Sequence, residues 1–141
     1  MTETTEDTRS VVVEREIGHA PEKVWRALTQ GPLMADWLMA NDFEATVGRP
    51  FQLKSQPYGD WNGIIDGQVL SLEPPKRLSY TWVSLGVESV VTFTLTPTAA
   101  GTHLKMVQDG FKAGQEANLQ GATYGWRNFL AKLDDTVGKL D

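Results

Sequence analysis

The sequence predicts an α+β fold in which an antiparallel sheet curls around one long helix. Three features point to it. From residue 50 to 109 apolar residues recur with a period of two, as half-buried strands require. Pro and Gly clusters cut that stretch at short intervals, as hairpin turns do. Leu119, Thr123, Trp126, Leu130, Leu133, Val137 and Leu140 then repeat at spacings of 4, 3, 4, 3, 4 and 3, the single stripe of a helix about six turns long.

Residues 1–10 are polar and aperiodic and read as a disordered tail. Val11 to Ile17 is β-branched and reads as a first strand, with Val11, Val13, Arg15 and Ile17 on one face. Ala20-Pro21-Glu22 opens a helix, because Pro is tolerated where its missing N–H has no helical partner. Val24, Trp25 and Leu28 give that helix one apolar face. Gly31-Pro32 ends it and starts a second short helix carrying Leu33, Met34, Trp37 and Leu38. Residues 39–50 read as a loop entering a strand with Phe51 and Leu53. Tyr58-Gly59-Asp60 signals a turn, and Trp61 to Leu72 reads as a long strand broken or bulged by Gly63 and Gly67. Pro74-Pro75-Lys76 stops it. Leu78, Tyr80 and Trp82 alternate on the next strand, Val91, Phe93 and Leu95 on the one after, and Leu104, Met106 and Gln108 on the last. The sheet is therefore a meander of about five strands after the first. Gly121 and Gly125 lie inside the final helix, where each costs roughly 0.5–1 kcal/mol relative to Ala.

The chain has 141 residues, and residues 11–141 suit a single domain. Chains of ~150 residues bury roughly 68–70% of their unfolded surface, so no staple is needed. The absence of Cys excludes disulfides, Cys-based zinc sites, a cysteine nucleophile and iron–sulfur clusters. Eighteen acidic against 13 basic side chains give a net charge of −5, against the basic footprint that nucleic-acid binding needs. Glu3, Glu6 and Asp7 against Arg9 supply −2 of it. The polar, acidic start does not read as a secretory signal. No apolar run approaches the ~20 residues of a membrane span, so no membrane insertion and a cytoplasmic location are expected.

Ala20-Pro21-Glu22-Lys23-Val24-Trp25-Arg26-Ala27-Leu28-Thr29, followed by Trp37-Leu38, resembles the opening of the family of activator-of-heat-shock-protein-ATPase homologues. Pro74 to Trp82 and Val91 to Pro97 resemble its central strands, and Gly101-Thr102-His103-Leu104, Gly110-Phe111 and Gly125-Trp126 complete the likeness over residues 11–140. The family belongs to the START-like, or SRPBCC, superfamily. The resemblance implies a helix-grip fold with an apolar ligand cavity between sheet and C-terminal helix. Members of the superfamily include lipid carriers, polyketide cyclases, antibiotic-sequestering proteins and chaperone regulators, so activity has to be argued from the site.

Tyr80, Trp82, Phe93 and Met106 lie on strand faces expected to point at the helix. Trp37, Phe43, Phe51 and Phe111 could close a mouth, and Tyr124 and Trp126 could line it from the helix. Leu53, Ile65 and Val69 complete the candidate lining, the last two with a parity that a glycine bulge would reverse. The other reading of these residues is ordinary core packing. Gln108 is the polar group with the best claim to the cavity, because Leu104 and Met106 share its face. Arg15 is expected at a strand end with its head in water. His19 and His103 both look exposed, and no metal-ligand spacing is present.

No catalytic motif, cofactor fingerprint or paired carboxylate is present. The leading expectation is non-catalytic binding of a small hydrophobic or aromatic molecule. One alternative is a cyclase- or aromatase-like enzyme using Arg15, Tyr80, Gln108 and Tyr124. Another is a chaperone-interaction module, disfavoured because the activators that the family name describes carry a further N-terminal domain where this chain has a short tail. An exposed edge strand could support a homodimer, which nothing in the sequence specifies.

Overall fold

The computed structural model describes residues 9–140. Seven antiparallel strands form one sheet: β1 (Arg9–Ile17), β2 (Ala40–Asn41), β3 (Pro50–Lys54), β4 (Ile64–Glu73), β5 (Arg77–Ser84), β6 (Val87–Pro97) and β7 (Thr102–Phe111). Their order is β1-β7-β6-β5-β4-β3-β2. Helices α1 (Pro21–Thr29) and α2 (Gly31–Trp37) follow β1, and α3 (Glu116–Gly138) closes the chain. Strands β2 to β7 form the expected meander, and the 23-residue α3 is the expected long helix. The α+β helix-grip fold is therefore the one observed.

Three local readings need correction. Strand β1 begins at Arg9, so Arg9 and Ser10 belong to the sheet, where Ser10 pairs with Asp109; residues 1–8 of the expected tail lie outside the described residues. Residues 40–41 form a two-residue strand on β3, too short for periodicity to reveal. The bulge of β4 falls between Val69 and Ser71, not at a glycine. Gly63 sits in the turn before β4. Gly67 stays in register for a different reason: a Cβ there would lie 2.5 Å from the Phe51 ring and 2.7 Å from the Thr81 carbonyl oxygen. The ring and the neighbouring strand occupy the side-chain space. Ile65 and Val69 consequently both face inward and are buried.

The core lies between the concave sheet face and the helices. Val11, Val13 and Ile17 of β1, Leu78 and Tyr80 of β5, Val91, Phe93 and Leu95 of β6, and Leu104 and Met106 of β7 fill it with alternate residues of each strand. Leu130, Leu133 and Val137 cover them from the C-terminal half of α3. Trp37 joins α2 to α1 by donating its indole N–H to the Ala27 carbonyl at 2.8 Å. Arg15 does not end free in water. It is half-buried and donates from Nε to Asp134 of α3 at 2.9 Å, tying β1 to the last turns of the helix.

Both histidines are also less open than expected. His103 on β7 lies across from Glu16 of β1 and contacts both Glu16 and Glu14, the latter at 2.8 Å from Nε2. Hydrogen bonding to Glu16, then to Glu14, favours the imidazolium with both ring N–H groups donating, and raises the His103 pKa. The stabilisation is therefore fully present below the unfolded value of about 6.5 and is lost as pH rises through the folded one. Denaturation series from pH 6 to 9 should show a small loss of stability with rising pH that His103→Gln removes; a slope unchanged in that variant would contradict the assignment.

Candidate ligand-binding cavity

Trp126 divides α3. On its C-terminal side the inward positions carry Leu130, Leu133, Thr136 and Val137, all buried. On its N-terminal side the inward positions carry Gly125, Ala122, Gly121, Asn118 and Ala117. Large side chains fill one end of the space between helix and sheet, and small ones leave the other end unfilled. A Cβ on Gly121 would meet nothing within 4 Å, and one on Gly125 only the Phe129 ring at 4.0 Å. The result is a cavity of about 390 Å³ between the first half of α3 and the far ends of β5, β6 and β7.

Its walls are aromatic. Trp82 comes from β5, Trp61 from the loop before β4, Phe111 from the end of β7, and Trp126 and Phe129 from α3. The Trp82 and Trp126 rings lie 5.1 Å apart with planes inclined at 54°, and Phe129 meets Trp126 edge-on at 5.6 Å. Ser84, Leu85 and Val87 form the lip. Gln108 is the buried polar group of the wall.

The Gln108 amide has a fixed orientation. An indole N–H can only donate, so the Gln108 oxygen must be the atom that accepts from Trp126 Nε1 at 2.8 Å. Gln108 Nε2 then donates to Ser89 Oγ at 2.9 Å, and Ser89 Oγ donates to the Trp82 carbonyl at 2.9 Å. One chain of hydrogen bonds thus locks together the helix, three strands and both facing tryptophans. Among the fourteen residues of the lining, none carries an ionisable side chain; Ser84, Gln108, Asn118 and the Trp82 indole N–H supply its polarity, the indole N–H groups of Trp61 and Trp126 being donated to the Ile64 carbonyl and to Gln108.

The structure brings Trp82, Gln108, Phe111 and Trp126 of the expected residues together around this space. Trp37, Phe43, Phe51, Tyr80 and Phe93 instead form an aromatic cluster behind the wall. Successive ring pairs stand 5.0 to 6.3 Å apart, and Phe93 touches Trp126 at 5.8 Å. Leu53, Ile65, Val69 and Met106 are buried core and are not among the lining residues. Tyr124 is 72% exposed and stands outside the cavity, because it lies off the inward stripe of α3. Arg15, Tyr80, Gln108 and Tyr124, the four groups an enzymatic reading invoked, are not brought together.

Trp61, Ser84 and Leu85 were not anticipated. Strand parity reaches Ser84 from Trp82, whereas Trp61 arrives on an irregular loop that carries no period. Leu85 carries a signal of another kind. It is a non-glycine residue at φ +53°, followed by Gly86 at +74°, in the two-residue β5–β6 hairpin loop. Asn-Gly or Asp-Gly is the usual pair for two positive φ angles. A leucine there, 59% exposed at the cavity lip, holds an apolar side chain against local backbone preference.

Among the described residues no three His, Cys, Asp or Glu side chains stand together as metal ligands, and no helix is long and apolar enough to cross a membrane. The family model described as Activator of Hsp90 ATPase homolog 1-like protein matches residues 19–138. The chain belongs to this family. Its fold is that of the START-like superfamily. A comparison with curated proteins finds no match. Among solved structures, protein MLL2253 of Mesorhizobium loti is 49% identical with a TM-score of 0.86, covering 94% of this chain and 99% of that one. Protein BH1534 of Bacillus halodurans is 29% identical with a TM-score of 0.78, covering 92% and 96%. DynU16, a protein of the dynemicin biosynthetic locus, is 27% identical with a TM-score of 0.78; the match covers 92% of this chain and 47% of DynU16. This member of the Activator of Hsp90 ATPase homolog 1-like family therefore spans about half the length of DynU16.

Two changes separate packing from strain. The Tyr80 hydroxyl is fully buried with no hydrogen-bond partner among the described residues, and that burial also raises its pKa. Leaving such a group unpaired costs ~1–3 kcal/mol, so Tyr80→Phe should raise stability by about 1 kcal/mol in urea denaturation; a loss of similar size would reveal a partner. Leu85→Asn should also raise stability, by about 1 kcal/mol, by relieving the positive φ; destabilisation would show that the leucine contributes packing instead.

Proposed function

We propose that this protein binds a small, uncharged, flat aromatic or hydrophobic molecule in the cavity between the first half of α3 and the ends of β5 to β7, without transforming it. The observation that carries the reading is the lining itself: three tryptophans and two phenylalanines, a helix stripe of Gly, Ala and one Asn, and no ionisable group. Ligand cavities are typically apolar and aromatic with a few placed polar groups. Acid–base catalysis needs a titratable side chain within hydrogen-bond reach of the reacting atom, and this lining offers none. The place of DynU16 in a biosynthetic locus supports a fold used around small organic molecules. Nothing in the cavity favours the chaperone reading, which would need an exposed protein-binding face.

The two helix glycines give the reading its test. Each lowers helix stability by roughly 0.5–1 kcal/mol relative to Ala, and each keeps a side chain out of the cavity. Gly125→Leu should therefore leave the fold intact, raise or preserve thermal stability, and weaken binding of fluorene at least tenfold in equilibrium dialysis. Unaltered binding in that variant, or no binding to the native protein across a panel of uncharged polycyclic aromatics, would overturn the proposal.

A further inference from the structure

We infer that the cavity selects uncharged aromatic ligands bearing a hydrogen-bond acceptor, such as a ketone or quinone carbonyl, and that the remaining amide N–H of Gln108 reads that acceptor. The inference rests on the binding reading above and adds the chemical class of the ligand. A primary amide has two N–H donors and one carbonyl oxygen. The oxygen of Gln108 is taken by the Trp126 indole, and one N–H by Ser89. The second N–H has no partner among the described residues, yet Gln108 is buried and forms part of the cavity wall. Buried donors in folded proteins are almost always paired. A buried donor left over at the wall of a largely apolar cavity is a position that a ligand acceptor completes.

The neighbours sharpen the choice. Trp126 cannot compete for the ligand acceptor, because its own N–H is already donated to Gln108. The Ser89 hydroxyl is committed to the Trp82 carbonyl. Gln108 therefore offers its donor in a fixed direction from a side chain that cannot rotate without breaking two hydrogen bonds. A carboxylate in the same place would meet no cation among the lining residues and would lose its hydration without a counter-charge. Arg15 and Arg127 line a separate polar groove beside β1, and Arg15 is held there by Asp134. An acidic lipid or other anion is accordingly the wrong class for this cavity.

Three probes of one shape test this: fluorene, 9-fluorenone and fluorene-2-carboxylate, each measured by equilibrium dialysis against the full chain. The ketone should bind about fivefold or more tightly than the hydrocarbon, the increment of one buried hydrogen bond, and the carboxylate at least tenfold more weakly than the ketone. Gln108→Glu supplies the control. Its carboxyl still accepts from Trp126 and, held protonated by burial, donates its only proton to Ser89, leaving no donor for the ligand. The ketone preference, read as the ratio of ketone to fluorene affinity within that variant, should fall to about onefold. Equal binding of ketone and hydrocarbon to the native protein, equal binding of the carboxylate, or a preference that survives Gln108→Glu would overturn the inference. Should that variant fail to fold, Ser89→Ala gives the second reading: it leaves the Gln108 donor in place and must keep the ketone preference, whose loss would overturn the assignment. Fluorene bound without ketone preference removes this inference and leaves the proposed function standing; no probe bound removes both.

Discussion

The hydrogen bond from the Trp126 indole to Gln108 is the constraint on which the site depends. It joins the midpoint of α3 to the inner face of β7, and through Ser89 it reaches the backbone of Trp82 on β5. An indole and an amide buried together must satisfy one another, since an unpaired partner would cost about as much as several good packing contacts supply. That requirement sets the distance between helix and sheet at one level. Beyond it, side-chain size decides the outcome. Leucines and valine on the C-terminal side close the gap, and glycines and alanines on the N-terminal side leave it open.

The aromatic cluster behind the wall gives that arrangement its rigidity. Trp37, Phe43, Phe51, Tyr80 and Phe93 form a continuous series of ring contacts from α2 to Trp126. Edge-to-face pairs of this kind add roughly 0.5–1.5 kcal/mol beyond the area they bury. The position of Trp126 is thus fixed from behind by packing and from the side by the Gln108 bond. A cavity whose walls are fixed before a ligand arrives spends little binding energy on ordering them. Departures from local preference also collect around this end of the barrel, in Gly121 and Gly125 inside a helix and Leu85 at positive φ.

Element type and order were legible because the two hydrophobic periods differ so clearly: two through the meander, and the 4-3 alternation along α3. Inward parity was legible as well, and Ile65, Tyr80, Phe93, Met106 and Gln108 are all buried. Parity says that a residue faces the interior. It does not say how far along the barrel the interior stops being filled. That distance depends on which side chains of α3 stand opposite, so Trp82 and Gln108 meet empty space while Tyr80 and Met106, two residues away on the same strands, meet other side chains. The small residues of α3 did mark the open end, though Ala117 and Asn118 lie before the stripe that periodicity picked out. Trp61 is held by a loop, where side-chain direction follows no repeat. The β4 bulge at Leu70 was hidden because Gly67, the apparent candidate, is required instead by the Phe51 ring.

The most direct test of a cavity centred on Trp126 is a ¹⁵N correlation spectrum of the native protein during addition of 9-fluorenone. The five tryptophans form their own internal standard, since each indole N–H gives a separate signal. Trp61, Trp82 and Trp126 line the cavity, whereas Trp25 and Trp37 pack elsewhere. The account requires the first three indole signals to shift together and saturably while the last two stay in place. Movement of Trp37 or Trp25 with Trp82 and Trp126 unmoved, or no indole shift at all, would contradict it.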